Sequence, residues 1–305
     1  MIPVTPATPA AATGATGIEA PLPAGACDCH VHVVGDAARY PMVADRHYTP
    51  GPASAGDLRA HLARLGLERA VIVQPSVYGT DNRCLLDALA ALGGRGRGVA
   101  VVDADAAPHA LQEELQALHR AGVRGLRINL ESSGQGGDAQ ALLASLQAWA
   151  DRIRGLPWHL QLYAGLDTLA AAAPGLARLG VPVVFDHFAM APAATPADSP
   201  ALRAVLAAVR SGVAYVKLSA AYRIGGDPAG VERLARAFHA ANPQRVLWAS
   251  DWPHTDREPG KDRLQVSAYR DVPAERLARE IRAWAPDAAA LQAMLVDNPA
   301  RLYGF

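Results

Sequence analysis

The sequence has no excess charge and no run long enough to span a membrane, and each absence argues against a class of function. Lys and Arg together number 29, and so do Asp and Glu. A chain with equal numbers of basic and acidic residues has no net positive charge to attract polyanions, so we expect no nucleic-acid partner. Arg, Asp or Pro interrupts every hydrophobic run before the roughly 18 apolar residues that a membrane span needs. We therefore predict a cytoplasmic protein that does not bind membranes.

Cysteine is scarce, and the first residues resemble neither a signal nor a folded domain. The cysteines are Cys27, Cys29 and Cys84. Because their count is odd and the first two are too close for an ordinary disulfide, we predict free thiols, as in a reducing cytosol. Residues 1–26 are rich in Ala, Pro, Thr and Gly and lack the basic start of a secretory signal. We expect them to form a flexible arm before a folded domain over residues 27–305.

The glycine-rich phosphate loop of nucleotide-binding sheets is also missing. After the first apolar run the sequence reads VHVVGDAARYP, with one glycine, whereas a dinucleotide-binding turn needs a G-x-G-x-x-G pattern. The cluster GGRGRG at residues 93–98 comes before an apolar run, so it indicates a flexible turn from a helix into a strand. We therefore do not expect nucleotide binding.

Short runs of β-branched and aliphatic residues alternate with Ala- and Leu-rich amphipathic stretches. The predicted strands are CDCHVHVV from Cys27, RAVIVQ from Arg69, GVAVVD from Gly98, GLRIN from Gly125, WHLQLY from Trp158, PVVFD from Pro182, AYVKLS from Ala214 and RVLWAS from Arg245. The predicted helices include residues 57–65, 81–92, 108–121, 139–154 and 231–241, where apolar residues recur at helical spacing. Eight β–α units predict a single-domain α/β fold, the (β/α)8 barrel.

Polar residues end several of these strands, and in such a barrel the carboxyl ends of the strands carry the active site. His30 and His32 are two residues apart on the first strand, so both imidazoles should face the barrel interior. His187 ends the sixth strand and Asp251 ends the eighth. Histidine pairs are often structural, and an aspartate there is often a cap. Their joint position at one mouth predicts an active site that can hold a metal or an oxyanion.

Several motifs along the chain resemble those of a known family. They are DCHVHVVGD, VIVQPSVYGTDN, GLRINL, HLQLYA, VVFDHF, KLSAAYR and VLWASDWPHT. Together they resemble the amidohydrolase superfamily, in particular its amidohydrolase-related TIM-barrel hydrolases, and within these the 2-pyrone-4,6-dicarboxylate lactonases. The resemblance runs from about Cys27 to the closing DNPARLYGF. It implies the barrel fold and a hydrolase that opens a lactone ring.

The resemblance also implies catalytic roles. Asp251 would act as general base on water, and the imidazoles of His30, His32 and His187 would surround the scissile carbonyl and stabilise its oxyanion. A partly dry pocket should raise the pKa of the carboxyl group and make it a competent base, which can later pass the proton to the departing ring oxygen. Imidazole N–H groups are suitable donors for the developing negative charge.

Many members of the superfamily bind one or two divalent metals, with a bridging Lys or Glu on strand four and a His on strand five. Here the fourth strand, GLRIN, offers no bridge, Tyr163 ends the fifth strand, and His159 lies at its start. We therefore expect no dinuclear site. The lactonases that the chain resembles work without a metal, so we favour a site with no cofactor. The alternative is a single Zn2+ held by His30, His32, His187 and Asp251.

Substrate-binding residues follow from the same motifs. The resemblance assigns this role to Tyr48, Ser76, Arg127, Tyr163 and Arg223. Arginine suits a carboxylated substrate, because its planar fork binds a carboxylate through two hydrogen bonds; the alternative is a structural ion pair. The lactonases carry basic residues after the arginine of strand four, but here the stretch reads ESSGQGGDAQ from Glu131 to Gln140. The substrate could therefore be a lactone with one acid group, a sulfonated muconolactone or a sugar-acid lactone.

The leading hypothesis is a lactonase that opens a carboxylated lactone or pyrone in the breakdown of aromatic or sugar acids. A Zn-dependent decarboxylase of an aromatic or unsaturated acid is the second, because such lyases use similar His and Asp positions. A lactone isomerase and a non-catalytic binding barrel are less consistent with the complete His and Asp set. The sequence leaves open whether the chain forms a homo-oligomer.

Overall fold

The structure is a computed structural model that describes residues 21–129 and 139–305. Eight parallel strands form one sheet in the order β1-β3-β4-β5-β6-β7-β8-β9, and β2 and β10 form a small second sheet. The strands are β1 Cys27–Val31, β2 Thr49–Pro50, β3 Arg69–Val73, β4 Gly96–Ala100, β5 Val123–Asn129, β6 His159–Tyr163, β7 Val183–Phe185, β8 Ala214–Leu218, β9 Val246–Trp248 and β10 Val266–Ser267. All eight predicted strands are present in the large sheet, each close to its predicted position.

Helices cover the outside of this sheet. They are α1 Ala55–Leu65, α2 Arg83–Leu92, α3 Pro108–Arg120, α4 Ala139–Arg152, α5 Leu166–Ala172, α6 Pro200–Arg210, α7 Pro228–Ala241, α8 Ala274–Ala283, α9 Ala288–Gln292 and α10 Asn298–Tyr303. The predicted helices are all present, with small differences at their ends. Local signals explain the boundaries: Ser54 and Asp57 form a capping box at the start of α1, and Gly66 ends it with a φ of 71°.

The sheet closes between β1 and the segment that follows β9. Asp251 N donates to His30 O at 3.0 Å, and His32 N donates to Trp252 O at 2.7 Å. With these bonds the eight strands form a (β/α)8 barrel, as predicted. Both closing bonds involve residues of the predicted site, so barrel closure itself brings the first and last strands together there.

The core has two layers. The larger layer lies between the strands and the helices, and a smaller cluster fills the barrel interior with Cys27, Cys29, Val71, Val73, Val99, Val184, Tyr215, Leu247 and Tyr303. The last residues close the amino-terminal end, where Arg97 donates to Tyr303 O at 3.1 Å and to Gly304 O at 2.6 Å. The carboxyl ends of the strands are thus the end of the barrel that can receive a ligand.

Some sequence predictions fall partly outside the described residues or need correction. The proposed arm over residues 1–26 lies mostly outside them, and so does the stretch from Glu131, of which only Ala139 and Gln140 are described. The GGRGRG cluster is not entirely a turn, because Gly96 and Gly98 belong to β4. A Cβ on Gly98 would lie 3.0 Å from side-chain atoms of Leu85 and Leu89, which is tighter than ordinary contact, so α2 packs closely on the strand at this glycine.

The cysteines have the state that the sequence predicts. Cys27, Cys29 and Cys84 are buried free thiols. No helix in the described ranges is long and apolar enough to cross a membrane.

Candidate active site

A cavity of about 290 Å³ opens at the carboxyl ends of the strands. The predicted residues that line it are His32, Tyr48, Ser76, Arg127, Tyr163, His187, Arg223 and Asp251. His30, the remaining one, lies behind the wall and is 0% exposed. The structure therefore brings the residues predicted from separate motifs to one place.

An irregularity in β1 directs both strand-one histidines into the site. Asp28 pairs with Ala70 and Val31 pairs with Ile72, so β1 contains one residue more than β3 over this interval. The side chain of Cys29 packs in the barrel interior before the irregularity. The extra residue changes the alternation of the strand. His30 and His32 can therefore face the same interior as Cys29, which simple alternation does not allow.

Three imidazoles converge on one carboxylate oxygen. The Nε2 atoms of His30, His32 and His187 lie 3.7, 3.6 and 4.0 Å from Asp251 Oδ1. Asp251 and His187 both have positive φ values, 64° and 50°, which are uncommon for residues with a side chain. Such conformations persist where the surrounding structure enforces them, often at functional sites. Here they turn both side chains toward the centre of the barrel mouth.

The second oxygen of Asp251 is held by two neighbours. Arg223 donates to Oδ2 at 2.9 and 2.8 Å, and the hydroxyl of Tyr222 donates to it at 2.8 Å. Arg223 therefore makes the structural ion pair that the sequence left open, while it also lines the cavity. Oδ1 has no hydrogen-bond partner among the described residues. One oxygen is anchored and the other is available for a ligand or a water.

The pKa of Asp251 differs from the expectation of a raised value. Burial does raise it, but the opposing effects of Arg223 and His187 hold the pKa of this carboxyl group well below its ordinary value. A dry pocket alone would raise the pKa of Asp251, but an arginine in direct contact with the carboxylate lowers it. Asp251 is therefore ionised at neutral pH and can only accept a proton.

The other ring nitrogens of the histidines show which atoms face the cavity. His32 Nδ1 lies 2.8 Å from Val73 O, and a carbonyl oxygen can only accept, so the Nδ1 atom carries the proton in the neutral ring. Its Nε2 then presents a lone pair. His187 Nδ1 lies 2.8 Å from Ser219 Oγ, which can donate or accept. Burial lowers the pKa of His187 to about 4, so this ring is neutral at physiological pH.

This donor set fits a single divalent metal. His30, His187 and Asp251 offer ligand atoms within 4.8 Å of one another, and His32 Nε2 lies near the same oxygen. His30 Nε2 and Asp251 Oδ1 are buried without a hydrogen-bond partner among the described residues. Imidazole nitrogens and a carboxylate are usual zinc ligands. The residues at the end of β5 are Arg127 and Asn129, so no bridging Lys or Glu is present there, as the sequence indicated.

Arg127 is the best candidate for an anion-binding residue. Its Nη1 donates to Gln74 O at 2.8 Å, whereas its buried Nε has no partner among the described residues. No described carboxylate lies within ion-pair distance of it, although a half-buried guanidinium favours an anion. Ser76, Tyr48 and Tyr163 line the same cavity, and the Tyr163 ring packs on His187 with 5.3 Å between ring centres.

Several residues of the site were not predicted from the sequence. His47, Asn129 and Arg257 line the cavity. Thr255 lines it too, whereas the neighbouring His254 is buried and does not belong to the lining. Asp186, Lys217 and Gln161 lie behind His30. The signal for Lys217 was present, because it is a lone charge inside the apolar strand AYVKLS.

A family model described as amidohydrolase matches residues 27–305. Together with the barrel and its His and Asp site, this match shows that the chain belongs to the amidohydrolase family. The chain is 35% identical over 294 residues to a 2-pyrone-4,6-dicarboxylate hydrolase of Comamonas testosteroni. The alignment covers 92% of this chain and 91% of that hydrolase. It is 31% identical over 293 residues to a 4-sulfomuconolactone hydrolase of Rhizobium radiobacter, and this alignment covers 93% of this chain and 91% of the relative.

Solved structures agree with this classification. A probable 2-pyrone-4,6-dicarboxylic acid hydrolase of Acinetobacter baumannii, with citric acid bound, superimposes with a TM-score of 0.77 at 25% identity. The superposition covers 92% of this chain and 100% of that one. The similarity extends over the whole barrel.

Proposed function

We propose that this protein is a lactonase, a hydrolase that opens the ring of a carboxylated lactone or pyrone in aromatic- or sugar-acid breakdown. The observation that carries the proposal is Asp251, with one oxygen anchored by Arg223 and the other, 3.6 to 4.0 Å from three imidazoles, facing a cavity. The names of the relatives, which act on lactones, support it. They do not favour the decarboxylase alternative.

In the proposed reaction, Asp251 Oδ1 accepts a proton from a water molecule as the water oxygen attacks the lactone carbonyl carbon. The carbonyl oxygen becomes an oxyanion, and then the bond between the carbonyl carbon and the ring oxygen breaks. The proton on Asp251 passes to the departing ring oxygen. Water is consumed, and the product carries one new carboxylic acid group, which ionises to a carboxylate and releases the second proton of the water to solvent.

The imidazoles have different capacities to stabilise the oxyanion. Neutral His32 cannot donate from Nε2, because Val73 O fixes its proton on Nδ1. His187 can donate, because the hydroxyl of Ser219 can supply the hydrogen bond at Nδ1 and leave the proton on Nε2. We therefore assign the oxyanion-donor role to His187. Preorganised donors of this kind contribute about 3 to 4 kcal/mol to acyl transfer.

His30, His32, His187 and Asp251 would hold a divalent metal such as Zn2+, which would supply Lewis-acid polarisation of the scissile carbonyl. The proposed reaction does not require a metal, in line with the lactonases that the chain resembles. The proposed location is the cytoplasm, because the cysteines are free thiols.

The substrate should carry at least one acid group. Arg127 offers a guanidinium without a described carboxylate partner, and Arg257 and His47 add further cationic or polar groups to the lining of the same cavity. The sole carboxylate in the described lining, Asp251, is already paired with Arg223. The cavity therefore has positive charge to offer an anionic ligand.

The proposal is tested by ring opening followed in the ultraviolet, with enzyme dialysed exhaustively against a chelator. The substrates are 2-pyrone-4,6-dicarboxylate and 4-sulfomuconolactone. We expect turnover of at least one of them without added metal. Activity that appears only after Zn2+ is restored would contradict the metal-independent form, and inactivity on every carboxylated lactone in both conditions would contradict the lactonase function.

A further inference from the structure

A buried ion pair lies behind His30, on the side of the ring that faces away from the cavity. Lys217 and Asp186 are 0% and 1% exposed, and Lys217 Nζ lies 3.4 Å from Asp186 Oδ1. Lys217 belongs to β8, and Asp186 follows β7. Two charges lose so much hydration on burial that such a pair adds little net stability. Its place beside an active-site histidine therefore indicates another role.

Gln161 on β6 connects the two charges. Its Oε1 accepts a hydrogen bond from Lys217 Nζ at 2.6 Å, and its Nε2 donates to Asp186 Oδ2 at 3.0 Å. These bonds fix the carboxylate so that Oδ1 faces His30 Nδ1 at 3.2 Å. Lys217 Nζ lies 3.3 Å from the same ring nitrogen. Strands β6 and β8 and the residue after β7 thus supply one network that ends at His30 Nδ1.

The chemistry of these partners determines which ring nitrogen of His30 carries the proton. A carboxylate paired with an ammonium group can only accept, so a lone pair on Nδ1 would face another acceptor at 3.2 Å. Lys217, in contrast, can direct its protons to Gln161 and Asp186. Only a proton on His30 Nδ1 avoids two lone pairs that face each other. His30 Nδ1–H therefore donates a hydrogen bond to Asp186 Oδ1.

The cavity side of the ring agrees with this assignment. His30 Nε2 is 3.7 Å from Asp251 Oδ1, which is too long for a hydrogen bond. Neither atom has a hydrogen-bond partner within the described part of the chain. His32 has the same arrangement, with its Nδ1 proton fixed by Val73 O. Two neighbouring Nε2 atoms would then present lone pairs beside Asp251.

We propose that Lys217, Asp186 and Gln161 form a positioning network that fixes the ring and the tautomer of His30, so that its Nε2 presents a lone pair to the centre of the site. There it accepts a hydrogen bond from the attacking water or holds a metal ion, and it does not donate to the oxyanion. The consequence for turnover rests on the proposed lactonase function, whereas the tautomer itself does not.

Nitrogen-15 NMR of histidine-labelled protein near pH 8 tests the tautomer directly, and a His30→Gln variant identifies the His30 signals. We expect a protonated Nδ1 and an unprotonated Nε2 in the wild-type protein. A proton on Nε2 would show that Lys217 donates to Nδ1 and would overturn the proposal. This result does not depend on any substrate, so it stands apart from success or failure of the lactonase assay.

The double variant Lys217→Met with Asp186→Asn tests whether the network causes the tautomer. It removes both buried charges together, a change that is often tolerated, whereas either single change leaves an unpaired charge. We expect a folded protein in which His30 populates both tautomers. Its kcat should be lower by about 10- to 100-fold, as for other partners that orient active-site histidines. Its KM should stay within about twofold of wild type. The small KM effect is expected because this network lies outside the cavity lining.

Tyr303→Phe is the matched control. Tyr303 is also buried in the barrel interior, and its hydroxyl has no hydrogen-bond partner among the described residues. We expect this variant to keep the wild-type tautomer and kcat. A double variant with the wild-type tautomer, or a Tyr303→Phe enzyme that loses kcat to the same extent, would overturn the positioning role. If the double variant does not fold, the wild-type NMR spectrum still decides the tautomer.

Discussion

Replacement of Arg223 by methionine tests how the charge of Asp251 is controlled. Arg223 makes two contacts with Asp251 Oδ2, at 2.9 and 2.8 Å, and the carboxylate is fully buried. An opposite charge at this distance lowers a carboxyl pKa by about 1 to 3 units. In the variant, burial acts without that compensation. We expect the pKa of Asp251 to rise by about 1 to 3 units, which corresponds to about 1 to 4 kcal/mol.

The pH dependence of kcat/KM measures this change. A carboxyl group with a lowered pKa stays ionised as the pH falls, so the wild-type enzyme should keep its base at moderately acid pH. In Arg223→Met, the acid limb should move upward by about 1 to 3 units. The free energy of unfolding should also depend on pH through this ion pair. The contribution of the ion pair is present above the unfolded pKa of Asp251 and is lost as the pH falls through the folded value, so the variant should be most destabilised near neutral pH.

Arg257→Met is the control for Arg223→Met, because Arg257 lines the same cavity and has no described contact with Asp251. It should weaken substrate binding and leave the acid limb in place. An unchanged limb in Arg223→Met would refute the argument that Arg223 holds the charge of Asp251. An equal shift in both variants would show a general effect of pocket charge instead.

Three further predictions concern binding, the base and stability. Arg127→Met should raise KM by about 10-fold or more with a smaller effect on kcat, because a charge-assisted hydrogen bond contributes about 1.5 to 3 kcal/mol; steady-state kinetics would check this. Tyr222→Phe removes one hydrogen bond to Asp251 Oδ2 and should cost about 1 kcal/mol in urea unfolding. Burial lowers the pKa of His239 from 6.5 to about 4, so below about pH 6.5 the unfolded chain takes up a proton that the folded protein does not. The free energy of unfolding therefore falls as the pH drops, and this group should contribute a loss of about 2 kcal/mol between pH 8 and pH 5. In His239→Gln, urea unfolding at the two pH values should show a loss smaller by that amount.

The fold and the positions of the four central residues at the barrel mouth could be predicted because their signals are local. Apolar runs of strand length mark the barrel strands. A polar residue at the carboxyl end of such a run lies at the barrel mouth, and this position does not depend on the conformation of the loops. His187 and Asp251 follow this rule. His30 and His32 were assigned correctly to the interior, but simple alternation was not the whole reason, because the extra residue in β1 reverses the facing direction after Cys29.

The electrostatic arrangement could not be predicted, because it depends on contacts between distant parts of the chain. Lys217 contacts Gln161, 56 residues away, and His30, 187 residues away. The sequence identified Arg223 without its partner, so the pKa of Asp251 was expected to move in the wrong direction. Arg257 lies in a loop after β9 without periodicity, and only the folded loop shows that it lines the cavity.

In the proposed reaction, Asp251 activates water to open a carboxylated lactone. Ring opening in water labelled with oxygen-18, by the wild-type enzyme and by Asp251→Asn, tests it most directly, with circular dichroism to verify folding. We predict that the wild-type product carries one labelled oxygen in its new carboxylate and that the folded Asp251→Asn enzyme loses at least about 1,000-fold in kcat, because general-base catalysis contributes up to about 10,000-fold. A folded Asp251→Asn variant with unchanged turnover, or a wild-type product without label, would contradict the account.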